Sequence, residues 1–304
     1  MNSMYRNILM ESAFAKDSAQ YFGWHQARIS DWVDSIVKAL ESGCDWRIDS
    51  ILKWNQQLGL NLMPGQGGRI LEAGFGTGSF TIAASQKGLD TVGVDYTADY
   101  VKLARQLASI AGLSEEDLYT VFRQGDVRNL EFPDNCFSVV TCFGLLSYVD
   151  DVVGTVREFM RVLKPGGLLF LYSSDHRFPF ENQYGIPYLP FMKKELFEIW
   201  LKVFEKPLAG LSVIPTYVSL PIFIGIARTV GFQILNSNVT LPESEISGQL
   251  RKLTGNVEMD YLTSDPAKIY LLAQKVKETG VQTEGAAFTV LCQKLLEKLY
   301  PGSF

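Results

Sequence analysis

Short runs of β-branched and other apolar residues alternate with helix-like segments between residues 69 and 174, and this alternation restricts the possible folds more than any other feature. Successive strands that are separated by a helix pair in parallel through right-handed crossovers. A parallel sheet must then be covered by helices on both faces. The sequence therefore predicts a doubly wound α/β core, with strands at 69–74, 90–95, 120–125, 137–144 and 168–174 and helices at 79–87, 98–111 and 152–163.

The segment before this core is predicted to be helical. Two helices, at about 26–41 and 46–58, precede the first strand, and the apolar residues of the earlier one fall on a single stripe. We therefore expect residues 1–65 to form an N-terminal helical cap.

Residues 66–304 are expected to form one elaborated domain, a mostly parallel seven-stranded sheet with two lid insertions. The insertions are predicted at about 175–214, which is rich in proline and aromatic residues, and at about 241–284. A sixth strand at 232–239 and a last strand at 286–295 are expected to pair antiparallel. Both insertions leave the sheet at the carboxyl ends of its strands, so the cap and the lids should converge on one mouth.

Charge and cysteine content narrow the possible partners. The 304 residues carry a net charge of -5, and the basic residues form no run longer than a pair, so nucleic acid is not an expected partner. The 4 cysteines show no CxxC spacing, which predicts no metal site and favours a reducing, cytoplasmic location. The N-terminus lacks a continuous apolar stretch, so no secretory signal is predicted.

One uncharged segment, residues 207–227, is long enough to cross a bilayer. Pro207, Pro215 and Pro221 interrupt it, and its second half is needed for a helix of the fold. We therefore predict a buried or cavity-lining segment and no stable membrane insertion. Monotopic contact with a membrane is the alternative.

Three alternating glycines follow the first predicted strand. Gly74, Gly76 and Gly78 leave the main chain bare, and the helix that begins near Ser79 presents its free N–H groups and its positive dipole end. A phosphate fits such a turn, but the carboxylate of Glu72, two residues before the first glycine, would repel it. The third glycine of the dinucleotide fingerprint is also missing. This pattern favours a ligand with a cationic end, such as the ammonium of an amino acid.

Two further acids follow the next strands. Asp95 ends the second strand, where a carboxylate can accept hydrogen bonds from both ribose hydroxyls. Asp126 follows the third strand and could accept a hydrogen bond from an exocyclic amine. A ligand that carries an amino acid, a ribose and an adenine in this order is S-adenosylmethionine. The alternatives are structural: the glycines serve only the turn, Asp95 caps the next helix, and Asp126 forms an Asx-turn.

These stretches resemble a known family. ILEAGFGTGSF, VGVDYT, GDVRNLEFPDNCFSVVTCFGLLSYVDD and RVLKPGGLLFLY are similar to motif I, the acidic position after it, motif II and the following region of class I S-adenosylmethionine-dependent methyltransferases. The resemblance covers about residues 69–172. It implies a Rossmann-like methyltransferase fold with the strand order 3-2-1-4-5-7-6. It also implies S-adenosylmethionine as the cofactor and S-adenosylhomocysteine as its product.

The resemblance further implies which residues bind the cofactor. Glu72 and the glycine turn would hold the methionine end, and Asp95 would hold the ribose. Asp126 would lie at the adenine, and Phe143 would lie beside the sulfonium. The full implied set is Glu72, Gly74, Gly76, Gly78, Asp95, Tyr96, Asp126, Val127, Phe143 and Gly144.

Methyl transfer is an in-line displacement, and a general base is needed only where the nucleophile starts protonated. The catalytic candidates are His176 after the fifth strand, His25 before the core, and Tyr148 near the end of the fourth strand. The alternative for His176 is a hydrogen bond to a loop carbonyl.

The acceptor is expected to be a small organic molecule with substantial apolar area, because aromatic residues are frequent around the predicted lids. A secondary metabolite, a quinone or a lipid-like molecule fits, methylated on oxygen or nitrogen, with carbon as a further option. The alternatives are an RNA or protein methyltransferase and a non-catalytic S-adenosylmethionine-binding protein. A homodimer is one option for the assembly. The aromatic residues are Phe178, Phe180, Tyr184, Tyr188, Phe191 and Tyr217.

Overall fold

The computed structural model describes residues 2–43, 45–174, 180–181, 183–187, 189, 192–213, 219–237 and 268–275 of the chain. Its centre is a seven-stranded sheet with helices on both faces, which confirms the predicted doubly wound α/β core. The helices are α1 (Asn2–Glu11), α2 (Ala13–Phe22), α3 (Gln26–Ser42), α4 (Trp46–Leu58), α5 (Ser79–Gln86), α6 (Ala98–Ile110), α7 (Glu115–Val121), α8 (Val152–Val162), α9 (Lys194–Val203) and α10 (Leu220–Val230). The strands are β1 (Arg69–Ala73), β2 (Asp90–Asp95), β3 (Phe122–Gln124), β4 (Phe137–Phe143), β5 (Leu163–Ser174), β6 (Phe180–Glu181), β7 (Ile186–Pro187), β8 (Phe232–Ser237) and β9 (Lys268–Lys275).

The main sheet has the strand order β3-β2-β1-β4-β5-β9-β8. Because β6 and β7 form a separate hairpin, the seven sheet strands numbered along the chain follow the implied order 3-2-1-4-5-7-6. β1 to β5 are parallel, whereas β9 runs antiparallel to both β5 and β8. Parallel strands end at the same edge, so the loops after β1, β2, β3 and β4 lie together where open sheets bind their ligands.

The last strand of the sheet lies elsewhere than predicted. The predicted segment 286–295 is outside the described residues, and the antiparallel partner of β8 is Lys268–Lys275. This strand falls within the lid insertion predicted at 241–284, so that part of the insertion belongs to the sheet instead, and the rest of it is outside the described residues. Both segments are short apolar runs with flanking charges, so composition alone does not choose between them.

Two predicted strand boundaries also move. Thr120 and Val121 end α7 instead of starting β3, because the Ser114 hydroxyl caps α7 and acidic residues occupy its first turn. β5 starts at Leu163, directly after α8. Phe137 of β4 pairs with Leu163, and the register between the two strands then shifts before Val139. Residues 164–167, which separate the predicted helix at 152–163 from the predicted strand at 168–174, are therefore an irregular part of one long strand.

Alternate residues of the strands pack on opposite faces of the sheet. Leu169 and Leu171 of β5 belong to the cluster that α8 and α10 cover, whereas Leu168 and Phe170 belong to the cluster with α4 and α5. All four side chains are buried, and burying one such side chain stabilises a fold by about 1.5–3 kcal/mol. This packing on both faces holds the sheet rigid, and with it the edge where β1 to β4 end.

The N-terminal helices are part of this core. Ile48 and Ile51 of α4 are buried in the cluster that contains Phe80 and Phe170. The predicted apolar stripe of α3 is confirmed, and it packs in the cluster that α5 and α6 share. The buried residues of this stripe are Ile29, Val33, Val37 and Leu40.

The second half of the uncharged segment 207–227 forms most of α10, as predicted. Phe223, Ile226 and Ala227 are buried against the sheet. Among the residues that the structure describes, no helix is both long and apolar enough to reach across a bilayer.

Candidate functional site

The turn after β1 contains three glycines in the left-handed region. Gly74, Gly76 and Gly78 have φ angles of 73°, 55° and 73°, which other residues rarely adopt. A Cβ on Gly74 would lie 2.9 Å from Leu145, and one on Gly78 would lie 2.8 Å from Phe122, so packing requires these two glycines. A Cβ on Gly76 would meet nothing within 4 Å. Gly76 therefore faces open space, as expected for a main chain that a ligand approaches.

A second bare glycine follows β4. Gly144 has a φ angle of 72°, and a Cβ on it would also meet nothing within 4 Å. The preceding Phe143 packs edge-to-face against Phe80 and Phe170, with ring centroids 5.8 Å and 5.1 Å away. Since β1 and β4 are neighbours, Gly76 and Gly144 follow adjacent strand ends and leave room for a ligand there.

The Glu72 side chain lies beside this turn and is buried, with 2% of the residue exposed. Its Oε2 accepts hydrogen bonds from the backbone N–H and the hydroxyl of Thr81 in α5, at 3.2 Å and 2.6 Å. Its Oε1 lies 3.6 Å from Nη1 of Arg47. Burial raises the pKa of Glu72 to about 7, against the opposing effects of Arg47 and Thr81. This carboxyl can therefore change its charge close to neutral pH.

Arg47 was not predicted from the sequence as a site residue. Asp45 caps α4 and accepts hydrogen bonds from the backbone N–H and Nε of Arg47, at 2.9 Å and 2.8 Å. These bonds aim the guanidinium at α5, where Nη2 donates to Ser79 Oγ at 3.2 Å. The guanidinium also lies over the rings of Phe80 and Phe143, at 5.1 Å and 5.0 Å. The only local signal is an aspartate and an arginine at a predicted helix start, which does not reveal what the arginine contacts.

The Asp95 carboxylate connects the end of β2 to the glycine turn. Its Oδ2 accepts the Gly76 N–H at 2.8 Å, and its Oδ1 accepts the Thr97 N–H at 2.9 Å. Burial raises the pKa of Asp95, and these hydrogen bonds oppose the rise. The bond to Thr97, the N-cap of α6, agrees with the structural alternative for Asp95. The bond to Gly76 also brings the carboxylate to the open glycine, while the next residue, Tyr96, is 72% exposed.

Asp126 is engaged by a neighbouring arginine. Its carboxylate accepts the backbone N–H of Arg128 at 2.9 Å and Nη2 of the same residue at 2.7 Å, which is an Asx-turn with an added ion pair. Nη1 of Arg128 donates to Asp150 at 2.6 Å. The hydrogen bonds from Arg128 hold the pKa of Asp126 below its ordinary value. Val127, the residue between Asp126 and Arg128 in the sequence, is buried. The predicted role of Asp126 and Val127 in binding adenine stays a prediction.

The three catalytic candidates have different settings. His176 lies outside the described residues. His25 is exposed and caps α3, because its Nδ1 accepts the Arg28 N–H at 3.3 Å. Tyr148 is in a short 3-10 helix after β4, and desolvation, with the negative charge of Glu181, raises the pKa of its hydroxyl. Tyr148 is therefore protonated at neutral pH and can donate a hydrogen bond, whereas the catalytic roles of all three residues stay predictions.

The cap contacts both α6 and the β6–β7 hairpin at this edge. Nε1 of Trp24 donates to the carbonyl of Gln183 in the hairpin, at 2.6 Å. The hydroxyl of Tyr100, in the first turn of α6, donates to Asp17 of α2 at 2.9 Å. These bonds connect the N-terminal segment to α6 and to part of the first predicted lid, whose role as a lid stays a prediction.

Of the six aromatic residues predicted around the lids, Tyr184 is the one whose side chain the structure describes. It is fully buried and packs edge-to-face on Phe22 and Phe197, at 5.4 Å and 5.8 Å. This packing joins the β6–β7 hairpin to α2 and α9 and gives Tyr184 a structural role. Phe180 belongs to β6, and Phe178, Tyr188, Phe191 and Tyr217 lie outside the described residues.

Known proteins share this motif region. Residues 71–171 match the family described as a methyltransferase domain. A demethylmenaquinone methyltransferase from Deinococcus radiodurans is 34% identical over 148 residues, which cover 48% of this chain and 56% of the relative. A ubiquinone biosynthesis O-methyltransferase from Bordetella avium is 33% identical over 129 residues, which cover 42% of this chain and 50% of the relative. The chain thus spans about half the length of the curated relatives it matches.

A solved structure from Galdieria sulphuraria, provisionally assigned as a sarcosine dimethylglycine methyltransferase, shares the fold. It has 13% sequence identity and a TM-score of 0.51, over 90% of this chain and 98% of its own. This likeness concerns the fold alone. The family match shows that residues 71–171 carry a methyltransferase domain, and with the motifs and the strand order it identifies this domain as class I and S-adenosylmethionine-dependent.

Proposed function

We propose that this protein is an S-adenosylmethionine-dependent methyltransferase that methylates oxygen or nitrogen, with carbon as a further option, of a small and partly apolar acceptor. The observation that carries the proposal is the shared edge of β1 and β2, where Glu72 and Asp95 flank the open Gly76. Two carboxylates beside a bare main chain suit a ligand with a cationic end and a sugar. They do not suit a phosphate, which binds where positive charge is offered.

The residues at this edge fit the cofactor in the required order. Glu72 would hold the ammonium of the methionine end through Oε1, which accepts no hydrogen bond from a described residue. Asp95 would accept the ribose hydroxyls, while its bonds to Gly76 and Thr97 keep it in place. Asp126 would lie at the adenine. When bound, the cofactor supplies an electrophilic methyl group on a sulfonium centre.

The acceptor would bind where the cap and the hairpin approach the strand ends. Hydrogen bonds from Trp24 to Gln183 and from Tyr100 to Asp17 connect the cap to the hairpin and to α6, and such contacts would enclose the acceptor. An enclosed site aligns two reactants, and alignment can contribute about 7–11 kcal/mol to catalysis. Relatives named for demethylmenaquinone and for ubiquinone biosynthesis support a small organic acceptor with apolar area.

Tyr148 would act at this site as a hydrogen-bond donor. Since its pKa is raised, Tyr148 would donate a hydrogen bond to the acceptor and would not remove a proton from it. A hydroxyl acceptor would need a base from elsewhere, for which His176 stays the candidate. A neutral amine would need no base.

Labelling with a tritiated methyl group tests the proposal. The protein is incubated with labelled S-adenosylmethionine and with metabolite, RNA and protein fractions of a cell extract, and label is expected in a resolved small molecule. Label in RNA or protein would contradict the acceptor class, and tight cofactor binding without a labelled product would favour a non-catalytic binding protein. Asp95→Ala is the expected inactive variant. Asp90→Ala is its matched control, because Asp90 starts the same strand, is 62% exposed and pairs with Arg69.

A further inference from the structure

Helix α9 carries apolar residues on two sides, and the fold covers one of them. Phe197 and Leu201 are buried in the cluster that joins the cap to the β6–β7 hairpin. Leu196, Ile199 and Val203 lie on the other side and are 57%, 58% and 66% exposed. With 3.6 residues per turn, these three side chains fall within about 60° of one another around the helix axis. We call them the α9 stripe.

The apolar surface extends beyond the α9 stripe. The rings of Trp200 and Phe204 pack with their centroids 5.3 Å apart, and Nε1 of Trp200 donates to the carbonyl of Pro187 in the hairpin at 2.7 Å. Leu189, which follows the hairpin, is exposed, and so is Phe204. Several exposed apolar residues on neighbouring segments mark a surface that binds a partner.

The charges around the α9 stripe distinguish a protein partner from a lipid surface. Residues 193–206 contain four lysines and three glutamates, so positive and negative side chains alternate beside the apolar surface. A helix that lies on an anionic membrane has a basic polar face. Glu195 and Lys202 border the α9 stripe on the same side, about 20° apart around the axis. This border carries both charges, so it complements a surface on which the two charges occur in the reverse order.

We propose that the α9 stripe binds the α9 stripe of a second copy of this chain, with the two helices antiparallel. The two-fold axis of such a dimer passes beside Ile199, the central residue of the stripe. With a rise of about 1.5 Å per residue, Glu195 lies about 6 Å before Ile199 and Lys202 about 4.5 Å after it. Glu195 therefore lies level with Lys202 of the partner subunit to within about 2 Å along the axis. The symmetry produces this ion pair twice.

Apolar burial supplies most of the affinity of this dimer, and the ion pairs set its register. Exposed ion pairs contribute little to stability, so Lys202 can exchange its exposed partner Glu198, which it contacts at 2.9 Å, for Glu195 of the partner subunit. A surface of this extent belongs to the small interfaces of less than about 1,200 Å², which are weak. We expect a dissociation constant of about 1–100 μM. The inference goes beyond the proposed function, because α9 contributes no residue to the candidate cofactor edge.

Sedimentation equilibrium of the whole chain at low salt, between about 1 and 200 μM, tests the proposal. The wild type should pass from monomer to dimer across this range. Ile199→Asp places two carboxylates at the two-fold axis and should raise the dissociation constant by about a hundredfold or more.

Two charge reversals test the antiparallel register. Glu195→Lys puts lysine opposite lysine twice, and Lys202→Glu puts glutamate opposite glutamate twice, so each variant alone should dimerise about tenfold more weakly or worse. An equimolar mixture of the two variants should dimerise with the wild-type affinity, because every lysine then faces a glutamate. This rescue is expected only if the two copies of α9 pair with each other.

Glu116→Lys is the matched control. Glu116 is an exposed acid in the first turn of α7, as Glu195 is in the first turn of α9, so the change in net charge and in helix dipole is the same. This variant should dimerise as the wild type does. Thermal melts at low protein concentration show whether each variant is folded, and substitutions at exposed positions of this kind change stability little.

Four outcomes overturn the inference. They are a wild type that stays monomeric up to the highest concentration, a dimer that Ile199→Asp leaves intact, and a mixture of the two charge variants that does not associate. The fourth concerns lipid. In flotation with vesicles of equal parts phosphatidylcholine and phosphatidylglycerol, the wild type should remain unbound, and vesicle binding that Ile199→Asp abolishes would assign the α9 stripe to a membrane instead.

Discussion

The stability of the protein should fall as the pH rises toward the pKa of Glu72, and Glu72→Gln should remove this dependence. The pKa is about 7 in the folded protein because burial outweighs the effects of Arg47 and Thr81, and it returns to 4.5 on unfolding. Between these two values the folded chain keeps a proton that the unfolded chain has released. The stability that this proton contributes is therefore present below the unfolded value and is lost as the pH rises through the folded one.

The size of the effect follows from the two pKa values. Raising a pKa from 4.5 to about 7 corresponds to about 3 kcal/mol, most of which falls between pH 5 and pH 8.5. In a protein of this size, that change corresponds to about 5–10 °C in the melting temperature.

Urea unfolding of the wild type and of Glu72→Gln across this pH range provides the assay. The difference between the two proteins cancels the other titrating groups, and it should shift in favour of the variant by about 2–3 kcal/mol from pH 5 to pH 8.5. Glu198→Gln is a control for the loss of a carboxylate as such, because Glu198 is an exposed partner of Lys202. A flat difference for Glu72→Gln would refute the raised pKa. A shift in the opposite direction would show that Arg47 outweighs burial.

Three further predictions concern individual positions. Asp95→Ala should weaken S-adenosylhomocysteine binding about tenfold or more, whereas Asp90→Ala should not, and equal dissociation constants in calorimetry would remove Asp95 from the ribose role. Gly78→Ala should destabilise the fold by about 2–4 kcal/mol, because its methyl group meets a packed ring, whereas Gly76→Ala should cost about 1 kcal/mol and mainly reduce nucleoside affinity. Thermal melts compare the stability of the two variants, and titration compares their nucleoside affinity. If Gly76→Ala lost more stability than Gly78→Ala and kept its affinity, Gly76 would be a turn residue alone. His25→Ser keeps a capping oxygen but removes the imidazole, so the predicted catalytic role requires a large fall in turnover in the labelling assay at unchanged thermal stability, and a wild-type rate would leave His25 as a helix cap alone.

The local parts of the fold could be predicted because each is specified by adjacent residues. Asp90–Asp95 is an apolar run that ends in a carboxylate, and Ala98–Ile110 has a single apolar stripe, so the predicted bounds agree to within a residue. β3 is less well specified, because Thr120 and Val121 favour a strand by their β-branched side chains and a helix through the capped turn before them. The capped helix takes both residues.

The parts that could not be predicted depend on contacts between distant segments. Arg47 becomes a site residue because Ile48 and Ile51 of the same helix dock on the sheet beside α5, which no local pattern announces. The identity of the last strand depends on which of two apolar runs pairs with β5 and β8. Hydrophobic periodicity predicts which face of a helix or strand is buried. The residues against which that face packs are known only from the folded structure.

The docking of α4 means that the motif-bearing region is not a unit that could be cut out on its own. A chain shortened to residues 66–304 would keep Glu72, the glycine turn and Asp95. It would also expose the apolar surface that Ile48 and Ile51 cover. The buried Glu72 carboxylate would lose its counter-charge, the guanidinium of Arg47. Recombination or truncation at this boundary would thus keep the sequence motifs of the family but remove the helix that stabilises the core beneath them.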